Sequence, residues 1–413
     1  MGLLSPVLRG ALRGRDPYPG DLLALDFAGV GTGGQQFYKR NGVIVPRFEM
    51  LPGAISTGGN NLGQALRNGS WSGNLPDGVP LIGDGGLGVP EAKTEIVGLS
   101  CRPADANWTV NGATKSSGPT YKGIFQSALV TSTGATFHRI QVPAGVSTVT
   151  SGQLYTIIVR FRTGTSDRIR VILLFNNVLP TSSCEGLVTN PAITTQDAGP
   201  LSIVENVDEG DGFRRLVLAW TPNATNNING SGVGPGAAAA GLNIEVLGLS
   251  IQAGAYVNNP PIDNGNLPAT RTAVAQRVGG LVLPSAFEVR GRFKLSALPP
   301  VVSRVFSLTA SADATREHAV YVGTTGVVKL LNRDGTANAE FGTRVIAIGE
   351  VVDFVARFKA NDYSLTINDN AAEVDTSGAM PAGVNQLGLG YRIVDAAGSL
   401  NGEIANLSIR EVV

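Results

Sequence analysis

Apolar and polar residues alternate in short runs along most of the chain, and each run is cut by Gly, Asn, Asp or Pro. In AFEVRGRFKL (286–295), Phe287, Val289, Gly291, Phe293 and Leu295 share one face, and Glu288, Arg290, Arg292 and Lys294 share the other. A period of two marks an antiparallel strand with one buried and one wet face. The pattern recurs in QLYTIIVRFRTG (153–164), RIRVILLF (168–175), RRLVLAWTP (214–222), NIEVLGLSIQAG (243–254), VVDFVARFKANDYSLTINDN (351–370) and GEIANLSIREV (402–412). Turn residues predict hairpins at Thr324-Thr325-Gly326, at Asp334-Gly335 and at Asn361-Asp362. Helical periodicity is hard to find. The expected class is all-β, an N-terminal extended segment followed by two β-sandwiches of the jelly-roll kind.

Breakers divide the chain. Residues 1–89 are Gly-rich and weakly patterned, as in GTGGQQ (31–36) and STGGNNLGQ (56–64), and read as an extended segment that anchors onto other chains. NATNNINGSGVGPGAAAAG (223–241) reads as a long exposed loop, and NNPPIDNGNLPATRT (258–272) as an inter-domain linker. The expected organisation is 1–89, 90–262 and 263–413.

Composition narrows the function classes. The chain has 413 residues, with 32 basic and 32 acidic side chains, so it lacks the basic footprint of a nucleic-acid or anionic-lipid binder. No apolar run of membrane-spanning length occurs. The N-terminus, MGLLSPVLRGALRGRDPYPG, lacks the apolar stretch and cleavage site of a secretory signal. Cys101 and Cys184 are too few for a disulfide framework or a zinc site, and read as two free thiols.

Two segments resemble a module of phage virion proteins. GVPEAKTEIVGLSCRPADANWTVNGATKS (88–116) is similar to an E-A-[KR]-T-N strand followed by W-T-x-x-[GN]-A-T, with Glu91 to Thr94, Trp108, Thr109 and Gly112 to Thr114 in register. Glu95 stands where that family has Asn. LGLSIQAGAYVNNPPIDNGNLPATRTA (247–273) resembles its closing segment through Gln252, Gly254, Tyr256, Pro260, Ala269 to Arg271 and Ala273. LLALDFAGV (22–30) with FYKRNGVIVPRFEM (37–50) is similar to the N-terminal lead of such proteins, and the ending SLNGEIANLSIREVV to the last strand of a laminin-G/concanavalin-like sandwich. The resemblance implies a carbohydrate-binding-module-like jelly roll at 90–262 and a laminin-G/concanavalin-like sandwich at 263–413. It further implies a spike or fibre subunit on the exterior of a virion, made in the host cytoplasm. Such a subunit docks to other virion proteins through 1–89 and touches host cell-surface polysaccharide. By analogy with fibres it is a homo-oligomer, with a trimer favoured.

Each chemical feature has a bland reading beside a sharp one. Trp220 alternates with Leu216 and Leu218 and belongs to a core, Trp108 packs near the start of its sandwich, and Trp71 lies in an unpatterned loop open to an interface. His138 and His318 sit in strands without a second metal ligand at a useful spacing, so both read as structural. No G-x-S-x-G elbow or phosphate loop is present. In VENVDEGDG (204–212), Asp208 and Asp211 are weak candidates for a structural calcium ion, with a solvated loop as the plainer alternative. The polar loops NATNNINGSG and NRDGTAN nominate Asn226, Asn229, Tyr321, Asn332 and Asp334 for sugar contacts, Asn and Asp pairing with hydroxyls and Tyr stacking on a pyranose. The expectation is a non-enzymatic attachment protein. A purely architectural protein and a polysaccharide depolymerase are the alternatives, and the repeated short turns or acid pair that a depolymerase needs are not found.

Overall fold

The alternating runs become strands whose apolar faces pack against one another. The computed structural model describes residues 18–28, 37–45, 66–67, 70–71, 82–83, 86–89, 93–143, 148–178, 181–236, 239–256, 269–271, 276–310, 313–393 and 398–412. Among them every regular element is a strand and every strand pairing is antiparallel, so the class is all-β as expected. The three hairpins turn where the sequence places them, between Asp313–Val322 and Val328–Asp334, before Thr336–Phe341, and between Val351–Lys359 and Tyr363–Ile367.

The chain forms two units. One, here the terminal unit, comprises Met1–Gly59, Asp77–Glu91 and Ala273–Val413. Its larger sheet runs Val43–Val45, Phe37–Arg40, Asp21–Asp26, Gly402–Glu411, Ala286–Leu295, Val351–Lys359, Tyr363–Ile367, Glu373–Asp375, with Gly86–Val89 also on the edge of Gly402–Glu411. Its smaller sheet runs Gln276–Val278, Val384–Leu389, Ser303–Ala310, Asp313–Val322, Val328–Asp334, Thr336–Phe341. One core joins the inner faces of both, Phe287, Phe354 and Phe358 from the larger sheet meeting Phe306, Val320 and Leu387 from the smaller. Rings carry much of this contact, with Phe306 stacked on Phe354 at 5.8 Å between centroids.

The N-terminal segment departs from expectation. Its described strands do not stand apart from the sandwiches. Asp21–Asp26 pairs with Gly402–Glu411 from Asp21↔Arg410 to Asp26↔Asn406, and Gly86–Val89 pairs with the same strand at Gly402 to Ile404. Leu23, Leu25, Phe27, Tyr38 and Leu87 are buried in the terminal core. The run LLALDF had the apolar content of a strand, and its partner lies nearly four hundred residues downstream.

The other, middle unit comprises Asn60–Pro76 and Ala92–Thr272. An eight-stranded sheet built on Asn243–Ala253, Tyr155–Thr163 and Phe213–Trp220 and a six-stranded sheet built on Ser182–Leu187, Arg168–Leu173 and Gly232–Pro235 share a second core. Trp108 and Trp220 lie at its centre; the Trp108 indole N–H donates to the Leu99 carbonyl at 3.1 Å. The two segments that carry the virion resemblance meet here: Lys93–Glu95 pairs with Ala269–Arg271 through Thr94↔Thr270. Residues 258–268 and 272 of the expected linker lie outside the described residues.

The expected loop at 223–241 is largely structured. Gly232–Pro235 is an interior strand between Arg168–Leu173 and Arg139–Gln141, and Ile228 is fully buried. Glycine is required in this strand because the neighbouring backbone comes so close. A Cβ at Gly232 would lie 1.9 Å from the Ile140 carbonyl oxygen, and one at Gly234 2.0 Å from that of His138. The residues that permit the contact are those that erase the strand pattern.

Candidate functional site

The wet face of the larger sheet in the terminal unit carries a groove of about 450 Å³ across four adjacent strands. Strand alternation sets its floor. Where Phe287, Val289 and Phe293 turn inward, Glu288, Arg290 and Arg292 must turn outward, and Asn406, Ser408 and Arg410 do the same beside Leu407 and Ile409. The register lines them up in rungs. One reads Asp26, Asn406, Arg292, Asp353; the next reads Ala24, Ser408, Arg290, Val355. Tyr18 and Pro19, just before Asp21–Asp26, form a lip at one end. The Tyr18 hydroxyl donates to Asp26 Oδ2 at 2.9 Å, and Lys39 Nζ donates to the Tyr18 carbonyl at 3.0 Å.

Ion pairs stiffen the floor without using up its polar groups. Arg292 forks onto Asp353, Nε to Oδ1 at 2.7 Å and Nη2 to Oδ2 at 2.8 Å. Glu288 Oε2 accepts from Arg290 (Nη2 at 3.0 Å) and from Arg410 (Nη2 at 2.9 Å). Asp21 is nearly buried, and burial pushes its carboxyl above the usual range against the opposing pull of Ser408, Lys39, Arg410 and Arg290. Arg290 and Arg410 keep 44% and 41% of their side chains exposed, and the Asn406 amide makes no hydrogen bond among the described residues. The groove therefore offers guanidinium forks, a free amide and carboxylate oxygens on a rigid floor. A pair of N–H donors, or an amide with one donor and one acceptor side, matches neighbouring hydroxyls of a sugar.

The residues nominated from sequence fall elsewhere and do not converge. Tyr321 and Asn332 lie on opposite faces of the smaller sheet. Asn332 is fully buried, opposite His318, and its amide donates to the Tyr363 hydroxyl at 3.1 Å and the Ala379 carbonyl at 2.9 Å. It is a core polar residue rather than a loop-tip sugar ligand, because parity from Val328 and Leu330 turns it inward. Tyr321 is 7% exposed; its hydroxyl donates to Glu340, and the Arg304 guanidinium lies over its ring at 5.1 Å, so no free stacking face remains. Asp334 is exposed and paired with Arg316 at 3.1 Å.

In the middle unit, Asn226 Oδ1 accepts from Asn176 Nδ2 at 2.7 Å and from the Asn227 backbone N–H at 2.8 Å, holding the turn at 226–229. The Asn229 N–H donates to Asn227 Oδ1 at 3.0 Å. Asp208 accepts from the Gly210 N–H at 2.7 Å within its own hairpin, and Asp211 accepts from the Tyr121 hydroxyl of a different one, so both acids are engaged in protein contacts. Among the described residues no three acidic, His or Cys side chains gather as a metal would need. Cys101 and Cys184 are both buried, and the two do not form a disulfide with each other.

His318 sets a test of this core. It is fully buried, edge-on to Phe287 at 5.4 Å and to Phe358 at 4.9 Å, and burial pushes its imidazole down to about 3. Its ring resonances are expected to stay fixed from pH 5 to 8 in a nuclear magnetic resonance titration, while exposed imidazoles titrate near 6.5. A midpoint for His318 near 6.5 would place it outside the core.

No protein-family profile and no curated protein matches the chain. Among solved structures, the NanB sialidase of Streptococcus pneumoniae is 15% identical over 32% of this chain and 23% of that one, with a TM-score of 0.26. The mouse laminin alpha1 chain domains LG4-5 are 10% identical over 64% of this chain and 84% of theirs, with a TM-score of 0.24. A Trypanosoma rangeli sialidase in complex with sialic acid is 10% identical over 73% and 61%, with a TM-score of 0.25. At these TM-scores the likeness carries no inference about activity. The chain spans about a quarter of the pneumococcal enzyme.

Proposed function

We propose that this protein is a non-catalytic glycan-attachment protein, a spike or fibre subunit on the exterior of a phage or phage-like particle. It binds host surface polysaccharide through the groove on the larger sheet of the terminal unit. The observation that carries the reading is that groove. It is a wet sheet face with a braced floor, two outward guanidinium groups and an uncommitted Asn406 amide within a few strand spacings. The particle role is supported by the resemblance at 88–116 and 247–273, whose strands pair as the two ends of one module. Self-association as a trimer belongs to the same proposal, since repeated weak sites gain by avidity.

Acid spacing supports binding over hydrolysis. Glycosidase carboxyl pairs stand about 5–9.5 Å apart. Asp21 and Asp353 are three strand spacings apart and four residues out of register, so more than roughly 14 Å separates them. Glu288, between them, is held by two arginines.

The test is direct binding of the full chain to immobilised dextran, mannan and extracted capsular polysaccharide. Asn406→Ala combined with Arg410→Ala is expected to weaken the best interaction at least tenfold, because each charged or amide hydrogen bond contributes about 1–3 kcal/mol. Arg290 still holds Glu288 in that variant, so the unfolding midpoint should scarcely move. If the folded wild-type chain binds none of these polysaccharides, the groove reading fails and an architectural virion component takes its place. Antibody to the terminal unit that never decorates particles in electron micrographs would refute the particle role separately.

A further inference from the structure

The wet face that carries the groove is not equally open on its two sides. The rung Ala24, Ser408, Arg290, Val355 continues to Thr366. The rung beside it runs Asp21, Arg410, Glu288, Arg357, Ser364, Val374. On the first strand and its outer neighbour, Asp21, Ala24, Asp26 and Lys39 turn to the wet side, yet each is 8% exposed or less. Ser408, the next step along its rung, is 7% exposed. Farther across, Arg292, Arg290 and Asp353 keep 36, 44 and 53% of their side chains exposed, and Val374 at the far edge is 65% exposed. Outward groups on an open sheet face reach water along its whole width, so one side of this face is covered.

The turn before Asp21–Asp26 forms that cover. Tyr18 and Pro19 stand at the groove's edge beside Asp21. From below, Lys39 Nζ donates to the Tyr18 carbonyl at 3.0 Å, and the Tyr18 hydroxyl donates down to Asp26 Oδ2 at 2.9 Å. The Asp21 N–H donates to the same Tyr18 carbonyl at 3.2 Å. Pro19 fixes its own φ, and Gly20 takes the left-handed φ of 82° that closes the turn. The turn is a braced wall. In front of it the floor drops to Ser408, a short side chain between Asn406 and Arg410 on its own strand and between Ala24 and Arg290 on its rung. From Ser408 the face rises and opens toward Val355, Thr366 and Ser364, which are all partly exposed.

We infer that the groove binds the terminus of a glycan chain. The last sugar sits over Ser408 against the Tyr18–Pro19 wall, and the rest of the chain leaves across Val355 toward Thr366 and Val374. The inference rests on the glycan reading of the groove and adds which part of the polymer is recognised. A site for the interior of a chain needs an exit on both sides, which a sheet face open along its whole width provides. Here one exit is walled. The volume of about 450 Å³ lies toward the lower end of ligand pockets, about 300–1,000 Å³, and takes a few sugar units rather than a long run. The polar groups suit a chain end. The exposed guanidinium groups of Arg290 and Arg410 and the Asn406 amide surround Ser408, and donors on several sides match a terminal sugar, which keeps a hydroxyl that an internal sugar has lost to its linkage. A polysaccharide anchored to a surface presents that end to solvent.

The experiment binds the full chain to whichever of immobilised dextran, mannan or capsular polysaccharide holds it best, and displaces it with the same material in solution, intact or partly hydrolysed in acid. Hydrolysis that multiplies chain ends about tenfold at constant mass is expected to lower the mass needed for half-displacement about tenfold, because mass action then counts ends. The methyl glycoside of the terminal sugar is expected to displace the chain as well. Tyr18→Ala removes the ring of the wall, and intact and hydrolysed material should then displace this variant equally, gram for gram. A melting curve checks that the variant is folded; if it is not, the wild-type comparison decides alone. Equal displacement of the wild type by intact and hydrolysed polysaccharide overturns end recognition and leaves the groove reading standing. A tenfold gain that survives in folded Tyr18→Ala overturns the role of the wall. Failure to bind any of the three polysaccharides removes the groove reading, and this inference with it.

Discussion

A chain that begins at residue 90 is expected to lose the terminal unit while keeping the two large sheets of the middle one, which take none of their described strands from Asn60–Pro76. Read from sequence, 90–413 is the self-sufficient part, with 1–89 attached for docking. In the structure, Leu23, Leu25, Phe27, Tyr38 and Leu87 are buried at 4% exposure or less in the terminal core. Burying one such side chain contributes about 1.5–3 kcal/mol, so the five together reach roughly 10 kcal/mol. A whole domain is stable by only about 5–15 kcal/mol. Their removal also strips the partner strands from one edge of Gly402–Glu411, leaving backbone groups of a central strand open to other chains. Purified 90–413 should therefore show one cooperative melting transition, aggregate through the exposed edge, and yield only a fragment near 92–272 to limited proteolysis. Two transitions matching those of the full chain would show that the N-terminal strands are dispensable.

The same contrast shows what the sequence made legible. Strands with one apolar face, such as Ala286–Leu295 and Val351–Lys359, announce themselves because burial on a single side imposes a period of two. The hairpins at Gly326, Gly335 and Asn361 were legible because a left-handed backbone selects Gly and Asn. Gly232–Pro235 was hidden because close backbone packing removed the side chains that mark a strand. Asn332 could have been placed: counting by twos from Val328 and Leu330 turns it inward, and only its polarity led outward. Half of the groove was present in the outward run Glu288, Arg290, Arg292 and Lys294. Its other half depends on which distant strands lie beside that run, and neither Asp21–Asp26 nor Gly402–Glu411 carries a local signal naming its neighbour.

Glu95→Gln is expected to raise the stability of the middle unit at pH 8 and to remove most of its pH dependence between 5 and 8. Glu95 is fully buried where the resembling virion segments carry an uncharged Asn. Its Oε1 accepts the Ile251 N–H at 2.9 Å and the Val97 N–H at 3.1 Å, and Ser250 donates to Oε2. Burial nevertheless dominates and pushes the carboxyl up to about 7 from its ordinary 4.5. The folded state therefore holds a proton that the unfolded chain releases above about 4.5. Stability from this group is fully present below that pH, falls as pH rises toward 7, and is flat above it. A displacement of that size corresponds to about 3 kcal/mol at pH 8, an appreciable share of the stability of one unit. Glutamine keeps a carbonyl for the two N–H donors and offers an N–H to Ser250 Oγ, at no cost in ionisation. Denaturant melts of both proteins at pH 5, 6, 7 and 8, followed by tryptophan fluorescence from Trp108 and Trp220, measure the effect in the unit that contains both indoles. Wild type should weaken from pH 5 to 7 and level off toward 8, while the variant stays level throughout. Parallel curves for the two proteins would mean that Glu95 is ionised throughout, held by partners stronger than Ser250 and the two backbone amides.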